Sequence, residues 1–200
     1  MSTYHHGNLR ASLIDTGVEL ARSEGPGGVS LREVARRAGV SHNAAYRHFA
    51  DKDALLTEVA RVGMQRLGEA MVEAVEAARP GAGATTALAR LRATGKVYVG
   101  FAFAEPGLFR TAFASCPDPT DTSPALTDPD PFALLVETVD GLVAAGLVEE
   151  DRRDAMVLMC WTTVHGYATL HLDGPLRGVP GDERDAALER LLDEVEHALT

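Results

Sequence analysis

The chain reads as an all-α protein, and three observations carry that reading. Apolar residues recur at i, i+3, i+4 spacing along most long segments, and no stretch keeps the apolar–polar alternation of a strand. Gly/Pro-rich interruptions at Gly25-Pro26-Gly27-Gly28, Pro80-Gly81-Ala82-Gly83, Glu105-Pro106-Gly107 and Asp173-Gly174-Pro175 cut the remainder into helix-sized pieces. With 200 residues and 46% apolar content, the chain can bury the core of one or two small domains. The expected architecture is an N-terminal three-helix helix-turn-helix domain over 1–54 and a helical bundle over 55–200. A long helix at about 52–78 connects the two.

Each element has its own signal. Leu9, Leu13, Leu20 and Ala21 share one side of a first helix, from about Asn8 to Ser23. Ser30 is an N-cap for a second helix, whose Leu31, Val34 and Ala35 face inward. Gly39 can end it in the left-handed conformation while Val40 plugs the corner. Ser41 caps a third helix from about His42 to His48, and Asp51 caps the fourth, which buries Leu55, Leu56, Val59, Val62, Leu67, Met71, Val72 and Val75. Further helices are expected at about 85–104, from Pro106-Gly107 to about Ser115, and at 131–145, 150–172 and 182–199. Cys116–Pro131 has five prolines and no period, and is expected to be a loop. There are no internal repeats.

The second to fourth helices carry the chemistry. A helix, a short glycine-containing turn and a second short helix form the unit that sets its second helix into the DNA major groove. His42, Asn43, Ala44 and Arg47 stand clear of the expected buried face, whereas Ala45 and Phe49 point inward. Asn43 can pair with adenine, His42 can donate to guanine, and the Ala44 methyl can rest on thymine. Tyr46 and His48 reach toward phosphates, and Lys52 lies at a helix N-terminus, itself favourable to phosphate. Ser30 and Ser41 add phosphate contacts beside their capping roles, and Arg36 adds diffuse attraction.

Charge is divided along the chain. The net value is −10, yet residues 1–50 hold six Arg against Asp15, Glu19, Glu24 and Glu33, so the acidic excess lies entirely in the rest. A basic head on an acidic body suits DNA contact confined to the head. Apolar runs such as Val97–Ala104 and Ala155–Trp161 are far shorter than the ~20 residues of a membrane span. The start lacks the apolar stretch of a secretion signal. Cys116 and Cys160 have no metal-type spacing and are expected to be reduced thiols of a cytoplasmic protein. No metal or cofactor is expected. Catalysis is disfavoured, because the chain lacks a phosphate-binding loop, a nucleophile elbow and a His-Glu metal pair. Cys160 and His165, five residues apart on one helix, fall on different faces.

The run GVSHNAAYRHFADKDALL resembles the helix-turn-helix signature of the TetR family of bacterial transcriptional regulators. Its small residue, aromatic, basic or His, Phe and acidic-Lys-acidic order carry the likeness, which covers residues 4–60. The opening YHHGNLR and the later Trp161-Thr-Thr-Val-His165-Gly166 resemble the branch with a Trp-His-Gly C-terminal domain. Ala45 stands where a larger aliphatic is common, and Asn43 where Gly is frequent.

The resemblance implies a homodimer with two heads on one pseudo-palindromic double-stranded operator and a small-molecule effector held in the body. The dimer is expected through the last two helices, where Leu188, Leu191, Leu192 and Val195 form an apolar stripe and Ala155–Trp161 is apolar all round. Candidate pocket residues are Tyr98, Phe101, Phe103, Phe109, Phe113, Met156, Met159, Trp161 and His165, a mixture of apolar bodies and polar tips. The implied function is a ligand-responsive repressor released from its operator by a small hydrophobic or amphipathic effector. The alternative keeps the DNA head and gives the body only a dimerisation role.

Overall fold

A computed structural model describes residues 9–78, 81–114 and 127–199. Tyr4–Asn8 of the opening motif, Pro80, Cys116 and the 116–126 part of the expected loop lie outside the described residues. Those described form α1 (Leu9–Gly28), α2 (Leu31–Arg37), α3 (His42–Tyr46), α4 (Lys52–Ala77), α5 (Ala84–Ala104), α6 (Pro106–Ala114), α7 (Pro131–Ala144), a 3-10 turn (Glu150–Arg152), α8 (Arg153–Leu172) and α9 (Gly181–His197). No strand occurs among them. The all-α expectation holds.

Differences from the expected bounds have local causes. The first helix breaks at Gly25 (φ 69°), and Pro26 then opens one more turn, which carries α1 on to Gly28. The recognition helix is shorter than expected: Arg47 is already its C-cap, and His48 lies beyond it.

The described residues divide into two compact units. The first runs to Met64 and takes in the stretch that begins at Glu105; the second comprises 65–104 and the chain from Asp128 onward. This division differs from a cut after residue 54, because α6 packs on α1. A Cβ on Gly107 would overlap the Ala21 carbonyl oxygen, so this contact admits only glycine. Leu13, Val18, Leu20, Val29, Val34, Ala45, Phe49, Leu55, Val59, Leu108 and Phe109 make up the core of the first unit, each at most 3% exposed.

In the second unit, α5 packs against α7, α8 and α9. Leu91, Leu135, Val139, Leu142, Met156, Val157 and Cys160 form its centre, with Met159 and Val195 against them. Burial pushes the Cys160 thiol up to about 11, which keeps it protonated and unreactive. Arg92 on α5 ties α9 down through Glu189 (2.8 Å), Glu196 (2.7 Å) and Asp193.

Candidate nucleic-acid interface

The turn between α2 and α3 follows from three residues. The Ser30 hydroxyl accepts the Glu33 amide at 3.2 Å and starts α2. At its other end Val40 N–H donates to Ala35 O (3.0 Å) and Gly39 N–H to Arg36 O (3.3 Å), the paired bonds of a Schellman motif. They require the left-handed conformation that Gly39 takes at φ 70°. Ser41 then accepts the Ala44 amide at 3.2 Å, so α3 starts at once on a new axis. Asp51 repeats the device for α4, accepting from Ala54 N–H at 2.8 Å.

This geometry fixes what α3 buries and what it presents. Ala45 is fully buried and Phe49 is 3% exposed, anchoring the segment at two points one turn apart. The Arg10 guanidinium lies 5.3 Å from the Phe49 ring centre and is held there by Glu58 at 2.9 Å. Ser41, His42, Asn43, Tyr46, Arg47 and His48 are all exposed, while Ala44 and Lys52 are half-buried. The His42 and Tyr46 rings meet edge to face with centroids 4.6 Å apart, which orders both side chains on the outer face.

Cations in the head are not equivalent. Arg36 makes a two-pronged contact with Glu33 (2.8 and 2.6 Å), and Arg37 bridges Glu33 and Glu24, each at 2.7 Å. Hydrogen bonds from Arg36 first, and then Arg37, hold the Glu33 carboxyl down at about 2. The Arg36 charge is therefore already met within α2. Arg32, Arg47 and Lys52 have no ion pair among the described residues. Arg32, exposed on α2, is absent from the sequence-derived set. The i+3 and i+4 spacing of Glu33 to Arg36 and Arg37 is the signal that leaves it over.

Two family descriptions match the chain. "Bacterial regulatory proteins, tetR family" covers residues 13–59, and "Tetracyclin repressor-like, C-terminal domain" covers 91–195. The chain belongs to the TetR family. It is a TetR-family DNA-binding transcription regulator with an all-helical fold. A structure of a protein of unknown function from Rhodococcus sp. RHA1 is 33% identical, with a TM-score of 0.72 over 97% of this chain and 98% of that one. The HTH-type transcriptional regulator AcrR of Shigella flexneri is 35% identical over 64 residues, which is 32% of this chain and 30% of AcrR. The fold is shared with a single-residue variant of TetR from Acinetobacter baumannii AYE, solved in complex with minocycline: 22% identity, TM-score 0.62, 98% and 96% coverage.

The nine aromatic, sulfur and imidazole residues singled out as TetR-type pocket candidates are shared between the two units. Phe109 and Phe113, with ring centroids 4.8 Å apart, belong to α6 in the first unit. Met156 is core, and Met159 packs on that core. Phe103 lies beneath the Arg184 guanidinium at 4.0 Å and edge-on to His171, and Phe101 is half-buried on α5. Tyr98, Trp161 and His165 do meet. The hydroxyl of Tyr98, a residue only 5% exposed, is 2.8 Å from His165 Nδ1, and the Trp161 ring centre is 6.3 Å from the imidazole. Burial raises Tyr98 far above the ordinary phenol range and lowers His165, so both remain neutral. Phe132, absent from the sequence-derived set, completes this cluster 5.4 Å from Trp161.

The expected dimer stripe is partly an internal one. Leu188 and Leu192 are 8% and 5% exposed, and Leu192 comes within 3.0 Å of where a Gly95 Cβ would be. Leu191 and Val195 are half-buried. Large apolar side chains stand outward on α8 at Leu158 and Trp161, within the Ala155–Trp161 run, and at Leu170. Among the described residues there is no group of three or more side chains able to hold a metal, and no helix long and apolar enough to cross a membrane.

Proposed function

We propose that this chain is a ligand-responsive transcriptional repressor in the cytoplasm, gripping a pseudo-palindromic operator as a homodimer and releasing it when a small amphipathic or hydrophobic effector occupies the body. The observation that supports the DNA half is the exposure pattern over 41–49. Two buried anchors, Ala45 and Phe49, hold up a face on which His42, Asn43, Tyr46, Arg47 and His48 all stand in solvent. On that face Asn43 reads adenine, His42 guanine and Ala44 the thymine methyl. Ser41, Tyr46, His48, Arg47 and Lys52 take backbone phosphates, with Ser30 and Arg36 in supporting positions. Two copies read half-sites whose centres are ~34–36 Å apart in the one-turn arrangement. Leu158 and Trp161, three residues apart and both outward on α8, offer the second copy an apolar surface.

Support for the effector half comes from the Acinetobacter relative with its bound minocycline and from the polar-tipped aromatic cluster of Tyr98, Trp161 and His165. An effector shifts operator affinity only by as much as its own affinity differs between the two states. The test is operator affinity by fluorescence anisotropy with and without a panel of small amphipathic molecules. Weakening by at least one compound supports the reading; a panel that changes nothing leaves a constitutive repressor.

A further inference from the structure

A second feature of the body lies away from the aromatic cluster. It is a cleft of about 380 Å³ bounded by the end of α4, the 81–83 loop, the first two turns of α5 and the outer face of α7. That volume is within the range of small-molecule sites. Val75, Ala87 and Leu134 give it an apolar surface. None of the nine residues expected to line a pocket contributes to it.

Three polar groups in the cleft, those of Thr86, Arg90 and Glu137, lack the partners that similar groups in the unit have. Thr86 is 6% exposed, yet its hydroxyl has no hydrogen-bond partner among the described residues. Thr94 and Thr138 give theirs to the carbonyl four residues back. Thr86 is in the first turn of α5, where the residue four back precedes the helix. Arg90 on α5 and Glu137 on α7 both line the cleft, and neither forms an ion pair among the described residues. Arg92, Lys96 and Arg153 in the same unit all find carboxylates.

The two walls carry opposite sign. The α5 wall brings a helix N-terminus with no acidic residue in its first turn, together with Arg90 and the Thr86 hydroxyl. The α7 wall brings a helix C-terminus with no basic residue in its last turn, together with Glu137. Helix ends favour an anion on the first side and a cation on the second. We propose that this cleft binds a small zwitterion with an apolar flank, of the apolar α-amino-acid type. Its carboxylate lies on Arg90 and Thr86, its ammonium on Glu137, and its side chain against Val75, Ala87 and Leu134. This rests on the reading of the body as an effector-binding domain and names the chemistry of one effector class.

The experiment is isothermal titration calorimetry of the full chain with three probes: phenylalanine, 3-phenylpropionate, which lacks the ammonium, and 2-phenylethylamine, which lacks the carboxylate. Phenylalanine is expected to bind about tenfold or more tightly than either truncated probe, the loss that one charge-assisted hydrogen bond brings. Arg90→Ala should remove the advantage over 2-phenylethylamine, and Glu137→Gln the advantage over 3-phenylpropionate. Both positions are exposed, and unchanged melting of each variant certifies its fold. No heat with phenylalanine at millimolar concentration, equal affinity for all three probes, or indifference to both substitutions overturns the proposal. Operator affinity measured beside these titrations separates the two readings. Phenylalanine that binds without moving the operator leaves the cleft and removes the response; release by some other compound, with no phenylalanine binding, does the reverse.

Discussion

Asn43 and Arg36 illustrate how differently two exposed polar residues of one head can act. Asn43 is exposed on the outer face of α3 and is free to offer an amide edge to a base. Its replacement by Ala is expected to relax preference at one base position and to cost ~1–3 kcal/mol there, read from affinities for a set of single-base operator variants. Equal losses on every duplex would contradict its role as a reader. Lys52 has no ion pair among the described residues, whereas Arg36 is held by Glu33. Lys52→Ala should therefore reduce the slope of log affinity against log salt by about one. Arg36→Ala should reduce it distinctly less, because the Arg36 charge is already engaged by Glu33. Binding isotherms across a salt series distinguish the two variants.

His165 gives a prediction in pH. Burial depresses its folded-state value, so the unfolded chain takes up the proton more readily. Its contribution to stability is complete above the ordinary histidine range and is lost as pH falls from that range through the depressed value. Melting temperature should drop as pH falls below the ordinary histidine range, and His165→Gln should flatten that part of the curve. A variant with the wild-type slope would show that the slope arises elsewhere.

Among the elements, α3 is held by very few buried side chains. It has a single buried helical residue, Ala45, and its placement relies on Phe49 just beyond. Phe49→Ala should cost ~3–5 kcal/mol of stability and loosen the recognition helix first, visible as early amide exchange over 41–48. The helices themselves were legible in the sequence, because apolar spacing and Ser, Asp and Gly caps act locally. Cap residues Ser30, Ser41 and Asp51 all make their expected bonds. What lies beyond one helix was less legible. Nothing in the spacing of Phe109 and Phe113 tells that α6 packs on α1, since an aromatic stripe fits any apolar neighbour. The grip of Glu33 on Arg36 was readable from their spacing alone; the meeting of Tyr98 with His165, 67 residues apart, was not.

At the scale of the whole molecule, charge and assembly decide how the head is used. The first fifty residues carry the basic excess and the remainder the acidic one, so repulsion of the body and attraction of the head both favour one orientation on DNA. Two heads on one duplex require a stable pair. Leu158, at 57% exposure the most solvent-accessible large apolar side chain of α8, is the position at which a charge should prevent pairing. Leu158→Glu is expected to sediment as a monomer with unchanged helical content and to lose most operator affinity; a dimeric variant would place the interface on another face. The most direct test of the central claim is selection of bound duplexes from a random pool by the purified full chain at low ionic strength. Enrichment of a two-fold symmetric pair of short half-sites is expected, with one position degenerate when Asn43→Ala replaces the wild type. A pool that returns unenriched, or a chain that retains no duplex at all, would contradict the claim.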